Sequence, residues 1–175
     1  MVVARITPDE WALLRDMRLR ALRDAPEAFG QTYENAAAEP ELEWRSAARA
    51  ASAGDRRAWF FARSDGSAAE VRSAAGAPPA ELGMVQARRR PPDDCLVFSM
   101  WVAPEARRGG VGRELIAAAA DWARSWDGRR IVLWVTGVNE SAMRFYERVG
   151  FRLLSEGPDM ESGRAFGALA MELPL

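Results

Sequence analysis

The sequence predicts an α/β (α+β) domain, a mixed sheet with helices on both faces, and three features carry that reading. Hydrophobic periodicity changes from strand to helix within residues 96–115. There an apolar run from Leu96 to Val102 stops at Pro104, and apolar residues return at Val111, Leu115, Ala119, Trp122 and Trp126, the spacing of one helix face. It changes again over residues 131–149. Ile131 to Thr136 is strand-like, and Ala142, Phe145 and Val149 share a helical face that stops at Gly150. Shorter strand-like segments flank these units, without internal repeat or second domain. The 175 residues, 49% hydrophobic, supply a proper core, so residues 1–175 read as one domain.

In chain order, Val2 to Ile6 reads as a first strand. Thr7-Pro8-Asp9-Glu10 then opens a helix: Thr7 caps it, Pro8 suits its first position and Glu10 completes a capping box. Trp11, Leu14, Arg18 and Leu22 mark its course until Pro26 breaks it. Residues 27–34 read as a loop carrying Phe29, Tyr33 and Glu34, of the kind that presents binding groups on a rigid scaffold. A second helix runs over 41–53 around Leu42, Trp44, Ala48 and Ala51. Ala58 to Ala62 and Leu82 to Arg88 are hairpin partners. The Ala-, Ser-, Gly- and Pro-rich residues 64–80 between them are expected to form an exposed, flexible loop. Leu96 to Val102, apolar except at Ser99, reads as a central strand covered on both faces, ended by a proline that cannot stay in an interior ladder. Phe151 to Ser155 and Ala168 to Leu173 are the last strands. The order is β-α-α-β-β-β-α-β-α-β-β.

Composition removes several classes of function. No window approaches a bilayer span and the first residues are too short for a signal-peptide core, so a cytoplasmic protein without membrane contact is expected. A single cysteine, Cys95, excludes an internal disulfide. The absence of histidine removes the usual zinc ligand and the usual general base, so no metal is expected. Nothing near Cys95 in sequence lowers its pKa, which disfavours it as a nucleophile. A net charge of −1 recommends no nucleic-acid partner. Arg88-Arg89-Arg90, followed by Pro91-Pro92-Asp93-Asp94, reads as a solvated hairpin loop with its own counter-charge.

The turn between strand and helix, Arg107-Arg108-Gly109-Gly110-Val111-Gly112, has chemistry of its own. A helix N-terminus offers N–H groups without intrahelical partners and the positive end of a dipole. Glycine lets an anion approach the backbone, and two arginines add permanently charged donors suited to a diphosphate. The alternative is a tight connection with solvated arginines. The turn is not a P-loop, whose motif needs a lysine that this chain lacks, and Arg113-Glu114-Leu115 after Gly112 does not complete G-x-G-x-x-G.

Arg107-x-x-Gly110-x-Gly112 directly after strand-Pro, and then Asn139-x-x-Ala142-x-x-Phe145-Tyr146-x-x-x-Gly150-Phe151, resemble in form and order the two motifs of the GCN5-related N-acetyltransferase (GNAT) superfamily. The resemblance is strongest over residues 96–151. It implies a mostly antiparallel sheet of six to seven strands and acetyl-CoA as cosubstrate. Arg107, Arg108, Gly109, Gly110, Val111 and Gly112 would then cradle the pyrophosphate. The pantetheine arm would lie like an extra strand against backbone groups of Met100, Trp101 and Val102, where two central strands part. Asn139 would bond the same arm and also cap the helix behind it.

Transfer to an amine requires donors for the oxyanion and a proton for the leaving thiolate. Tyr146 matches the family's tyrosine and is the candidate acid; alternatively it only packs against the cofactor. The resemblance sets Phe29 and Tyr33 as walls of the acceptor site and Glu34 as a carboxylate facing the amine and the first candidate base. Read from the residues alone, the two aromatics serve equally as core plugs and Glu34 as a solvated side chain. In ribosomal-protein N-terminal acetyltransferases a glutamate often stands five residues before the motif asparagine. Trp134 stands there here, which points to a more apolar channel walled by Trp101 and Trp134. Asp159 and Glu161 lie in a loop within reach of the acceptor. The expected activity is acetyl transfer from acetyl-CoA to a primary amine of a small molecule. A protein or peptide N-terminus, or a non-catalytic acyl-CoA-binding module, are the alternatives, and a homodimer is left open.

Overall fold

A computed structural model of the chain describes residues 1–64, 81–136, 139–154 and 168–175. Nearly all of the expected 64–80 loop, and the loop bearing Asp159 and Glu161, lie outside them. The elements are β1 (Val2–Arg5), α1 (Trp11–Asp24), α2 (Tyr33–Ala37), α3 (Glu41–Ser52), β2 (Arg57–Arg63), β3 (Glu81–Arg90), β4 (Asp94–Val102), α4 (Val111–Arg124), β5 (Arg130–Thr136), α5 (Glu140–Val149), β6 (Arg152–Leu153) and β7 (Ala168–Pro174). Seven strands form one sheet in the order β1-β2-β3-β4-β5-β7-β6. Every pairing is antiparallel except that of β4 with β5. This is the mixed sheet that the sequence predicts, mostly antiparallel as the family resemblance implies.

Strand alternation sorts the core onto two faces. Phe60, Val85, Val97, Ile131, Leu133 and Met171 pack against Leu115, Ile116 and Ala119 of α4, with Tyr146 and Phe145 of α5. On the other face Trp59, Phe61, Met84 and Trp101 pack against Leu14, Met17 and Ala21 of α1 and Trp44 and Ala48 of α3. Leu115, Ile131, Leu133 and Phe61 are fully buried, each contributing about 1.5–3 kcal/mol of transfer free energy.

Two local readings are corrected. Residues 27–34 are not all loop. Thr32 Oγ1 accepts from the Asn35 N–H (3.2 Å) and starts the five-residue α2, too short to show a helical period. The arginine run is not loop either, since β3 extends through Arg90. Arg89 pairs with Asp55 and lies over Trp126, while Arg90 reaches Asp94 (3.3 Å). Asp55, from elsewhere in the fold, and the adjacent Asp94 supply the counter-charges that let the run stay in the strand.

β4 and β5 pair only over Asp94↔Arg130, Cys95↔Ile131 and Leu96↔Val132. An ionic cluster holds this closed end. Arg130 Nε meets Asp94 Oδ1 at 2.7 Å and its Nη1 meets Glu172 Oε2 at 2.9 Å. Burial alone would raise the Asp94 carboxyl, but the hydrogen bonds and charges of Arg130 and Arg90 outweigh it and hold Asp94 below the usual carboxylate range.

Candidate active site

Beyond Leu96 and Val132 the two central strands no longer pair with each other, β4 running to Val102 along β3 and β5 to Thr136 along β7, leaving backbone edges facing each other across a wedge. A β-bulge sits on the β4 side of it. Met84 pairs with Trp101 and Gln86 with Phe98, so Ser99 and Met100 together oppose Val85. Ser99 takes a φ of 50°, the left-handed conformation such an insertion exploits. The bulge reverses the facing of β4: Val97 points to the α4 core before it, whereas Met100 and Val102 point there after it and Trp101 turns to the α1 face.

Backbone direction follows the same alternation. The Ala103 N–H donates to Leu82 O (2.9 Å), so the groups of Trp101 also address β3, and those of Met100 and Val102 address the wedge. Met100 and the Val102 N–H therefore face the wedge, Val102 O already accepts from Arg107 Nε (3.1 Å), and the groups of Trp101 face β3. Its side chain is no channel wall either. The ring is buried at 5% exposure, Nε1 donates to Asp24 Oδ2 (2.8 Å), and Arg20 covers the face (5.2 Å). Trp101 fastens β4 to the end of α1.

At the open end of the wedge lies the glycine turn. Pro104–Ala106 forms a 3-10 turn, Arg108 has a φ of 67° and Gly110 one of 84°, and α4 begins with no side-chain cap. The Arg113 and Glu114 amides both return to Gly110 O (2.9 and 3.2 Å). Among the described residues the amides of Arg108, Gly110, Val111 and Gly112 have no protein acceptor, so four donors gather at the positive end of a 14-residue helix.

The glycines are there for different reasons. Gly110 supplies the positive φ and faces open space. A Cβ on Gly112 would stand 2.8 Å from Phe145 Cζ, and one on Gly109 would stand 3.2 Å from Ala106 O. Gly112 therefore lets α5 approach α4. The arginines also differ. Arg107 donates from Nε to Val102 O (3.1 Å) and pairs with Asp24, whereas exposed Arg108 has no side-chain partner among the described residues.

α5 presents side chains. Asn139 Oδ1 accepts from the Ala142 N–H and from Ser141 Oγ, both at 3.1 Å; its amide NH₂ is not used by the cap, so capping and ligand binding are compatible. Tyr146 is 8% exposed, held edge-on between Phe145 (5.2 Å) and Phe151 (5.4 Å). Burial pushes its phenol pKa up, so the hydroxyl keeps its proton at neutral pH. Cys95 is fully buried and burial pushes its thiol up to about 12, which makes it inert.

The expected acceptor residues lie over the opposite face. A cavity of about 430 Å³ is lined by Leu22, Arg23, Pro26, Phe29, Tyr33 and Glu34. Phe29 and Tyr33 are partly buried against the α1-face core, each under an arginine, Arg18 at 4.5 Å and Arg23 at 4.3 Å. They are thus core plugs and cavity walls at once. Glu34 is exposed in the first turn of α2. It and Tyr146 belong to opposite layers of the sheet, and no contact joins them. Trp134 alternates with Leu133 and Val135 and so faces away from α4. Its ring stacks on Phe98 across the wedge (6.2 Å, 18°), and its Nε1 is buried without a partner. Phe98 and Asp24 escaped the sequence reading: in a strand apolar at nearly every position nothing marks which residue a bulge will re-aim, and no motif marks a helix-terminal aspartate. No group of three metal-ligating side chains occurs among the described residues, and none of their helices is long and apolar enough to cross a membrane.

A model of the acetyltransferase (GNAT) family matches residues 20–151. Streptothricin acetyltransferase of Streptomyces lavendulae is 38% identical over 76 residues, 42% of this chain and 40% of that protein; the chain spans less than half the length of the curated relatives it matches. Among solved structures, a GNAT-family acetyltransferase from Streptococcus pneumoniae superposes over 99% of both chains with a TM-score of 0.71 at 16% identity. A Bacillus anthracis acetyltransferase in complex with acetyl coenzyme A aligns with 70% of this chain and 64% of its own at a TM-score of 0.55 and 20% identity.

Proposed function

Because the chain belongs to the acetyltransferase (GNAT) family, we propose that it transfers an acetyl group from acetyl-CoA to a primary amine of a small molecule, by direct attack with both substrates bound. The observation that carries the reading is the uncapped start of α4 beside the parted strands. Four unspent amides and the Arg108 guanidinium suit a diphosphate. The wedge edges at Met100 and Val102, together with the Asn139 amide, suit a pantetheine chain. That a Bacillus anthracis relative in fold was solved with acetyl coenzyme A supports the same ligand. When bound it supplies a thioester carbonyl open to attack by an amine.

The remaining work falls to the chain's own groups. Tyr146 Oη, a phenol that keeps its proton at neutral pH, holds the proton that a departing sulfur takes up. Met100 and Val102 hold the arm straight through the wedge. Phe98 and Trp134 stack across the wedge on the side turned from α4, and Phe29 and Tyr33 shape the cavity at the end of α1, whose volume suits a small molecule. Glu34, exposed at its rim, attracts a cationic amine and is the candidate base. The streptothricin acetyltransferase relative supports a small-molecule acceptor. Incubation of the full chain with acetyl-CoA and a panel of amines, read by release of free thiol, tests the reading. Turnover with a small cationic amine is expected, and no thiol release with any amine would refute it.

A further inference from the structure

We propose that Asp24 is a positioning residue, which anchors the diphosphate turn to the end of α1 by holding the Arg107 side chain. The inference rests on the cofactor reading above. Asp24 is the last residue of α1. Its Oδ2 accepts from Trp101 Nε1 (2.8 Å) and from the Arg107 guanidinium, and Arg107 Nε in turn donates to Val102 O (3.1 Å). One carboxylate thereby joins the helix before the acceptor loop, the strand edging the wedge and the turn whose amides face the ligand. A second tie runs alongside, from Arg20 to Glu105 (3.0 Å). Arg107 has a compensated charge and two of its donors are spent. It acts on the diphosphate through the backbone it pins, while Arg108 supplies the charge.

The physical reason for such an anchor is entropy. Residues 107–110 are all exposed, and two of them are glycines that face little but solvent or their own turn. Ordering such a turn on ligand arrival would consume binding free energy. A turn ordered beforehand spares it.

The test is titration calorimetry of coenzyme A against the full chain, the Asp24→Asn and Arg107→Gln variants and the double variant, with acetyl-CoA kinetics beside it. Asn keeps an oxygen for the Trp101 indole and removes only the charge that holds Arg107. Each single variant is expected to weaken coenzyme A about five- to tenfold. The double variant is expected to be no weaker than the weaker single, because both remove one anchor. KM for acetyl-CoA rises with the dissociation constant while kcat at saturation stays within about threefold. Binding as tight as or tighter than wild type in Asp24→Asn overturns the proposal, since a released guanidinium would then be serving the diphosphate directly. Additive losses, or a lower Tm with unchanged affinity, overturn it as well. Failure of the unaltered chain to bind coenzyme A removes the cofactor reading itself and this inference with it.

Discussion

The two helices that open onto the wedge begin in opposite ways. α5 is capped: Asn139 Oδ1 closes its first turn, and in the proposed reading the helix acts through side chains, Tyr146 above all. α4 starts at a left-handed glycine with no cap and offers bare peptide N–H groups. A side-chain cap is worth about 1 kcal/mol, and α4 forgoes it while eight of its residues, among them Leu115 and Ile116, are buried. A helix anchored by its core face can leave its N-terminus uncapped, and uncapped N–H groups suit an anion. In the proposed reading one helix serves through its backbone and the other through single side-chain atoms, so the two should respond differently to mutation.

The sharpest contrast is expected at Tyr146. Removing one oxygen with Tyr146→Phe should lower kcat about 10²-fold with little change in coenzyme A affinity, read by steady-state kinetics and calorimetry. Unchanged turnover would strip α5 of its chemical role. On α4 the corresponding change sets a charge at the helix start. Gly110→Asp puts a carboxylate where a diphosphate would lie, in a left-handed conformation that a side chain strains, and is expected to weaken coenzyme A about tenfold or more, whereas Arg108→Ala, removing one exposed charge, should cost about threefold and less at high salt.

On the capped helix Asn139→Ala should cost about 1 kcal/mol, lowering Tm by about 2–4 °C and raising the KM for acetyl-CoA modestly. The smallest effect separates the site from its support. Asp94, whose folded pKa is depressed, contributes stability that is present above about pH 4 and lost as pH falls through its folded value. Asp94→Asn should flatten that acid limb in a denaturation series and leave coenzyme A affinity at neutral pH unaltered. Tyr146 has the opposite sign. Its raised pKa keeps the phenol protonated past the ordinary phenol range of about 10, so turnover should not decline below that pH on its account.

Legibility varied along the chain for physical reasons. Strands and helices long enough to complete several periods were readable: Leu96–Val102 followed by Val111–Trp126, and Ile131–Thr136 followed by Ala142–Val149. α2 was not, because five residues carry no period. The arginine run looked like loop because Asp55, which pairs with Arg89, lies distant in sequence. The glycine start of α4 and the Asn139 cap of α5 were legible because local backbone needs reach them. For Trp101 the run of apolar residues conceals the bulge at Ser99, which decides which backbone groups address the wedge, and Asp24, 77 residues away in sequence, ties the ring to the end of α1.

The sequence by itself determined that residues 107–112 form a glycine turn at a helix start, that Asn139 begins and Gly150 ends the next helix, and that no histidine or lysine takes part. These are statements about neighbours along the chain, where a few torsions and hydrogen bonds decide. Tertiary structure alone decided that Arg107 turns to Asp24 while Arg108 stays exposed, that Gly112 is small because Phe145 lies against it, and that Phe98 meets Trp134 across two parted strands. Those choices depend on which distant groups the sheet brings within a few ångströms, and local propensity carries no record of them.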